Sequence, residues 1–137
     1  MVKELVHDPM FLAQKSEPAT PADAQVITDL LDTLRAHSDS CVGMAANMIG
    51  VKKNIIVVSL GFIQVAMVNA KIVGKKKPYK TEEGCLALLG NPRPCTRYDE
   101  IEVEYQDASF KLKKDKFTGF TAQIIQHELD HVNGVLI

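Results

Sequence analysis

Long apolar runs are missing: no stretch of this 137-residue chain is apolar for long enough to cross a bilayer as a helix. Net charge of either sign is nearly missing too. The formal value is -1, which argues against nucleic acid or an anionic membrane surface as the main partner, because either needs a basic field. Cysteine is scarce and odd in number. Three residues, Cys41, Cys85 and Cys95, do not make a disulfide framework, and Cys41 and Cys95 read as small buried hydrophobes. Internal repeats, low-complexity tracts and linker-like segments are not found. The first residues, Met1-Val2-Lys3-Glu4-Leu5, carry charge where a secretory leader is apolar, so a cytoplasmic, monomeric protein is expected.

What is present suits one compact domain over residues 1–137. Apolar residues make up 46% of the chain, enough for a core at this length. The opening through Pro9 and Pro18 reads as an extended arm with turns. Thr20 can cap a helix that has Pro21 in its first position, and Val26, Ile27, Leu30, Leu31 and Leu34 follow at helical spacing. His7 and His37 read as surface residues. Strand-like runs follow at 55–60 and 62–69, with Gly61 as the turn between them. Lys75-Lys76-Lys77 reads as a solvated loop, and residues 80–94 as a longer one. Residues 101–105 alternate cleanly and should pair with residues 109–113 as a hairpin. A last helix is expected from about Thr118 to Asn133, stopped by Asn133-Gly134. The expected fold class is α+β: antiparallel or mixed sheets around a central C-terminal helix, with a further helix near the N-terminus.

That last helix carries the chemistry. His127 and His131 are one turn apart, so both imidazoles lie on one face and can bind one divalent ion. Glu128 sits about 100° round the helix, beside such an ion rather than on it, where it can take a proton from water. This is the logic of the H-E-x-x-H metallohydrolases. A catalytic ion usually takes three protein ligands. Few residues follow His131, so the third ligand is expected upstream. Spacing leaves it open between the thiolate of Cys85 and a carboxylate such as Glu82 or Glu83.

Three segments then resemble the motifs of peptide deformylases. Glu83-Gly84-Cys85-Leu86-Ala87 is similar to E-G-C-L-S, and Gln126-His127-Glu128-Leu129-Asp130-His131 matches Q-H-E-x-D-H. Residues 41–50 resemble G-x-G-x-A-A-x-Q-x-G, and Met67-Val68-Asn69 and Arg97 fit as well. The resemblance implies removal of the formyl group from N-formylmethionyl peptides or nascent chains, near the ribosome, with no membrane and no specific nucleic acid as partner. It implies a metal held by Cys85, His127 and His131, with a fourth place for water. Fe(II) is the expected ion, with Zn(II) and Ni(II) as alternatives. Glu128 would be general base and then acid, and the backbone N–H of Leu86 would help hold the oxyanion. Gly43 would pair with the bound peptide as an added strand. Met48, Glu83 and Gly84 would complete the substrate side.

The sequence departs from the pattern at Met48, where the family has the glutamine that donates to the oxyanion. Methionine has no N–H to give. Cys41 replaces the motif's first glycine, and Ala87 its serine. Reduced turnover is therefore expected. A deformylase-like metal- or peptide-binding protein with little activity is the alternative, and a general zinc endopeptidase is a third reading.

Overall fold

In the computed structural model, which describes residues 1–38, 41–84 and 92–135, one five-stranded sheet is folded about a central helix. The strands are β1 (Gly43–Ala45), β2 (Ile55–Ser59), β3 (Gln64–Glu83), β4 (Arg93–Gln106) and β5 (Leu112–Thr118). They lie in sequence order, and each pairs with the next in antiparallel fashion, so the sheet is a meander. The helices are α1 (Pro9–Leu12), α2 (Ala24–Ala36) and α3 (Gly119–Val132). The α+β class and the two expected helices are as the sequence suggested. No helix of the described residues is long and apolar enough to cross a membrane.

Helix α3 is buried nearly all round, which marks it as the centre of the fold. Ile125 and Ala122 are fully covered, and α3 packs against β1, β2 and β4. Each large apolar side chain so buried contributes about 1.5–3 kcal/mol. Gln126 ties the helix to β4 as a strand residue would. Its Oε1 accepts from the Tyr98 N–H at 2.8 Å, and its Nε2 donates to the Tyr98 carbonyl at 2.7 Å. The helix ends where Gly134 turns left-handed, at φ +77°. A Cβ there would stand 2.3 Å from the Ala13 carbonyl oxygen, so glycine is required twice over.

Several expectations are corrected. The arm contains a helical turn, α1, with Asp8 accepting from the Met10 N–H at 3.0 Å. Ahead of α2, Pro21–Asp23 forms a 3-10 turn in which Asp23 reaches back to the Thr20 N–H at 2.9 Å. The lysine run is not a loop, because Lys75, Lys76 and Lys77 belong to β3. Of the run, Lys77 has a carboxylate partner across the sheet and Lys75 lies over the Tyr98 ring. Glu100, Glu102 and Glu104 of β4 pair with Lys77, Lys114 and Lys71 at 3.0, 3.0 and 3.7 Å. The region expected as a loop from residue 80 to 94 is therefore strand up to Glu83 and again from Arg93. The last hairpin turns later than expected. Asp107 accepts from the N–H groups of Ser109 and Lys111, and β5 begins at Leu112. Cys41 and Cys95 are partly exposed rather than core residues. His37 is part-buried, with Nδ1 3.0 Å from the Thr33 carbonyl oxygen.

Candidate active site

The spacing in α3 does what was expected of it. His127 and His131 stand one turn apart and both are buried, His131 completely. Their Nε2 atoms are 3.2 Å apart, so both rings aim at one point. Roughly 3.3 Å is the edge of a tetrahedron with nitrogen ligands at about 2.05 Å, so the pair fits two corners of a divalent-ion site.

The ring of His127 is fixed from behind. Its Nδ1 lies 2.7 Å from Glu83 Oε1, and an Nδ1–H donated there leaves the Nε2 lone pair facing forward. Glu83 is itself fully engaged. Arg97 donates to both its oxygens, at 2.6 to 3.1 Å, and Gln123 Nε2 donates to Oε2 at 2.7 Å. Burial opposes ionisation of this carboxyl, but hydrogen bonds from His127, Arg97 and Gln123 outweigh it and hold the pKa at about 2. Arg97 also donates to Asp130 Oδ2 at 2.6 Å. The side chains of Arg97 and Glu83 are only 5% and 8% exposed, so this is a buried pair with every charge answered.

Glu128 follows His127 on α3 and lines one cavity with it. It is buried, and its Oε1 has no hydrogen-bond partner among the described residues. Burial pushes its carboxyl up to about 7. An orphaned buried carboxylate beside two converging imidazoles is what a proton-transfer group needs. A cavity of about 200 Å³ opens over this cluster. Cys41, Gly43, Met48, Phe120, Gln123 and Glu128 are among its walls.

The predicted residues thus separate into two groups. Gly43, Met48, Glu83, Gly84, His127 and Glu128 line one cavity, and His131 adjoins it through His127. Cys85 and Leu86 lie outside the described residues. Met48 is 1% exposed, and its Sδ is 3.4 Å from the Ala45 N–H. Asn47, its neighbour, faces elsewhere and donates to the His131 carbonyl at 2.8 Å. Gln123, Ile124 and Phe120 line the cavity and escaped the sequence reading. Gln123 was legible in principle, since it precedes His127 by four residues and shares its face. Phe120, exposed at the rim, gave no signal.

Gly43 has a steric reason to be glycine. A Cβ there would lie 2.8 Å from Ile124 Cγ2 and 3.1 Å from Glu128 Oε2. Gly43→Ala should therefore lower stability by about 1–3 kcal/mol and displace the base. Chemical denaturation, together with turnover, checks this, and an unchanged midpoint and rate would show that β1 simply moves aside.

A helix that converges two imidazoles and sets one of them, with a buried carboxylate, in the wall of a cavity beside the edge of a sheet has the arrangement of the H-E-x-x-H class of hydrolases. The narrower assignment comes from comparison. The family described as polypeptide deformylase matches residues 2–137. A peptide deformylase of Clostridium beijerinckii is 57% identical over 137 residues, covering all of both chains. The crystal structure of peptide deformylase from Thermotoga maritima superposes with a TM-score of 0.88 at 27% identity, over 99% of this chain and 95% of that one. A Met-Ala-Ser-bound class I type b peptide deformylase from Acinetobacter baumannii gives 0.88 at 25% identity, over 99% and 96%. The chain belongs to the polypeptide deformylase family, whose members are hydrolases of N-formyl peptides that use one divalent metal.

Proposed function

We propose that this protein removes the formyl group from N-formylmethionyl peptides in the cytoplasm, acting on chains newly released by or still near the ribosome. The observation that carries the reading is the convergence of His127 and His131 Nε2 at 3.2 Å beside buried Glu128. His127, His131 and Cys85 would hold the ion, with Fe(II) as its natural identity and Zn(II) or Ni(II) able to replace it. When bound, the ion supplies a Lewis acid that polarises the formyl carbonyl and acidifies water.

The protein's own groups do the rest. Glu83 and Arg97 keep the His127 ring in one orientation and one tautomer. Glu128 takes a proton from the attacking water and passes it to the departing amine, so formate leaves and the peptide gains a free N-terminus. The backbone N–H of Leu86 donates to the developing oxyanion. The outer edge of β1 carries no strand among the described residues, and a peptide lying along Gly43 would extend the sheet there. The cavity walls at Met48, Gly84 and Phe120 would receive the first side chain.

One observation favours a second reading, a deformylase-like binding protein of little activity. Met48 takes the motif slot in which the family pattern has a glutamine, its Sδ lies 3.4 Å from the Ala45 N–H, and loss of one oxyanion donor costs roughly a hundred- to a thousandfold in turnover. Formyl-Met-Ala hydrolysis by Ni(II)-loaded wild type and Met48→Gln separates the two readings. Weak wild-type turnover that rises by about tenfold or more in the variant supports the enzyme. Activity in neither, with the ion bound, supports the binding protein.

A further inference from the structure

The cavity over α3 holds one polar side chain that the proposed chemistry leaves unused. Phe120, Gln123, Ile124 and His127 follow one another on α3 at spacings of three and four residues, and all four line the cavity. Gln123 is half-buried and stands one turn, about 6 Å, before His127. Its neighbours in the wall are apolar, with Phe120 and Ile124 on the same helix and Met48 beyond them.

Two bonds fix which way the amide of Gln123 is turned. Glu83, gripped by Arg97, can only accept, so Gln123 must offer it Nε2, at 2.7 Å. The Tyr79 hydroxyl donates to Oε1 at 3.4 Å. Nε2 carries two hydrogens, and Glu83 takes one. The second has no acceptor among the described residues, although the residue is open to the cavity.

The reach matches the end of a methionine side chain. The formyl carbon and the sulfur of one N-formylmethionine are five bonds apart, about 6 Å when extended. A formyl group attacked beside His127 therefore puts the sulfur of its own residue level with Gln123. This step rests on the reading that the cavity receives the first side chain.

We propose that Gln123 sets specificity at that side chain by donating its second Nε2–H to an acceptor at the sulfur position, and that peptides starting with N-formylmethionine sulfoxide are therefore a further substrate class. A thioether sulfur accepts weakly, a sulfoxide oxygen accepts strongly, and the methylene of norleucine does not accept. A donor left unpaired in a closed site counts against the analogue that leaves it so. The reaction itself is the same. Water adds to the formyl carbon, the C–N bond breaks, formate leaves and the amine takes the proton, with the sulfoxide unchanged.

The test compares kcat/KM for formyl-Met-Ala, formyl-methionine-sulfoxide-Ala and formyl-norleucyl-Ala, using Ni(II)-loaded wild type and Gln123→Leu. The variant also loses a bond to Glu83, so all three rates fall and the ratios decide. Wild type should take the sulfoxide within about tenfold of Met and disfavour norleucine. In Gln123→Leu the sulfoxide should drop by about 30-fold or more relative to Met, and norleucine should equal or pass Met. A second measurement needs no turnover. The side-chain NH₂ signal of Gln123 in ¹⁵N-labelled, Zn(II)-loaded protein, identified by its loss in Gln123→Leu, should move saturably with methionine-sulfoxide-Ala and less with norleucyl-Ala. Substrate ratios unchanged by the substitution, or an amide signal that methionine-sulfoxide-Ala does not move, would overturn the proposal. No turnover of any formyl peptide would defeat the proposed function instead, and the amide signal would then decide this inference alone.

Discussion

Glu128→Gln will lower formate release from formyl-Met-Ala by about 10²–10⁴-fold while the protein keeps its ion and its fold. Glutamine has nearly the same shape, so the packing of α3 is untouched. What it loses is the ability to accept a proton and hand it on. The side chain is buried, and its Oε1 makes no hydrogen bond among the described residues, so no structural contact of that atom is broken. Burial already works against the charged form, so the neutral amide should fold as stably as the parent or more so. Steady-state rates, bound-metal analysis and a thermal melt together check this. A rate within a few-fold of wild type, with the ion in place, would mean that another group moves the proton.

Arg97→Ala will have the largest effect on stability, about 3–5 kcal/mol, because it leaves the Glu83 carboxylate buried without its cation. A loss of that size lowers Tm by roughly 10 °C or more in a domain of this length. The damage should reach the site as well. With Glu83 released, the His127 ring loses the partner that fixes it, and ion affinity should fall by about 10–100-fold. The double variant Arg97→Met, Glu83→Met should regain much of the stability, since apolar replacement of a whole buried pair is close to neutral. It should not regain the affinity. Denaturant titration gives the first result and competitive chelation the second. A stability loss under about 1 kcal/mol for Arg97→Ala would show the pair to be far better solvated than its geometry implies.

The sequence made local features legible and left tertiary ones hidden. The two histidines and the glutamate of α3 were readable because helical spacing alone puts them on adjacent faces. The stop at Asn133-Gly134 and the alternation in residues 101–105 were local in the same way. The strand character of Lys75 to Lys77 was not readable, because it depends on β4, where Glu100 pairs with Lys77 and the Tyr98 ring lies under Lys75. The same holds for Glu83. Its neighbours in sequence mark it as part of a loop motif, yet its partners come from β4 and α3. Arg97 was noticed as fitting a pattern, but its double engagement with Glu83 and Asp130 is a product of the fold. The role of Cys85 rests on the resemblance alone, since spacing left a carboxylate as an equal candidate.

Formate release is the most direct measurement of the central claim. Protein loaded with one Fe(II) or Ni(II) per chain, given formyl-Met-Ala under anaerobic conditions, should yield formate and Met-Ala in equal amounts over many turnovers. Chelation of the ion should stop the reaction, and restoring it should recover the rate. A fully loaded, folded protein that releases no formate would contradict the account.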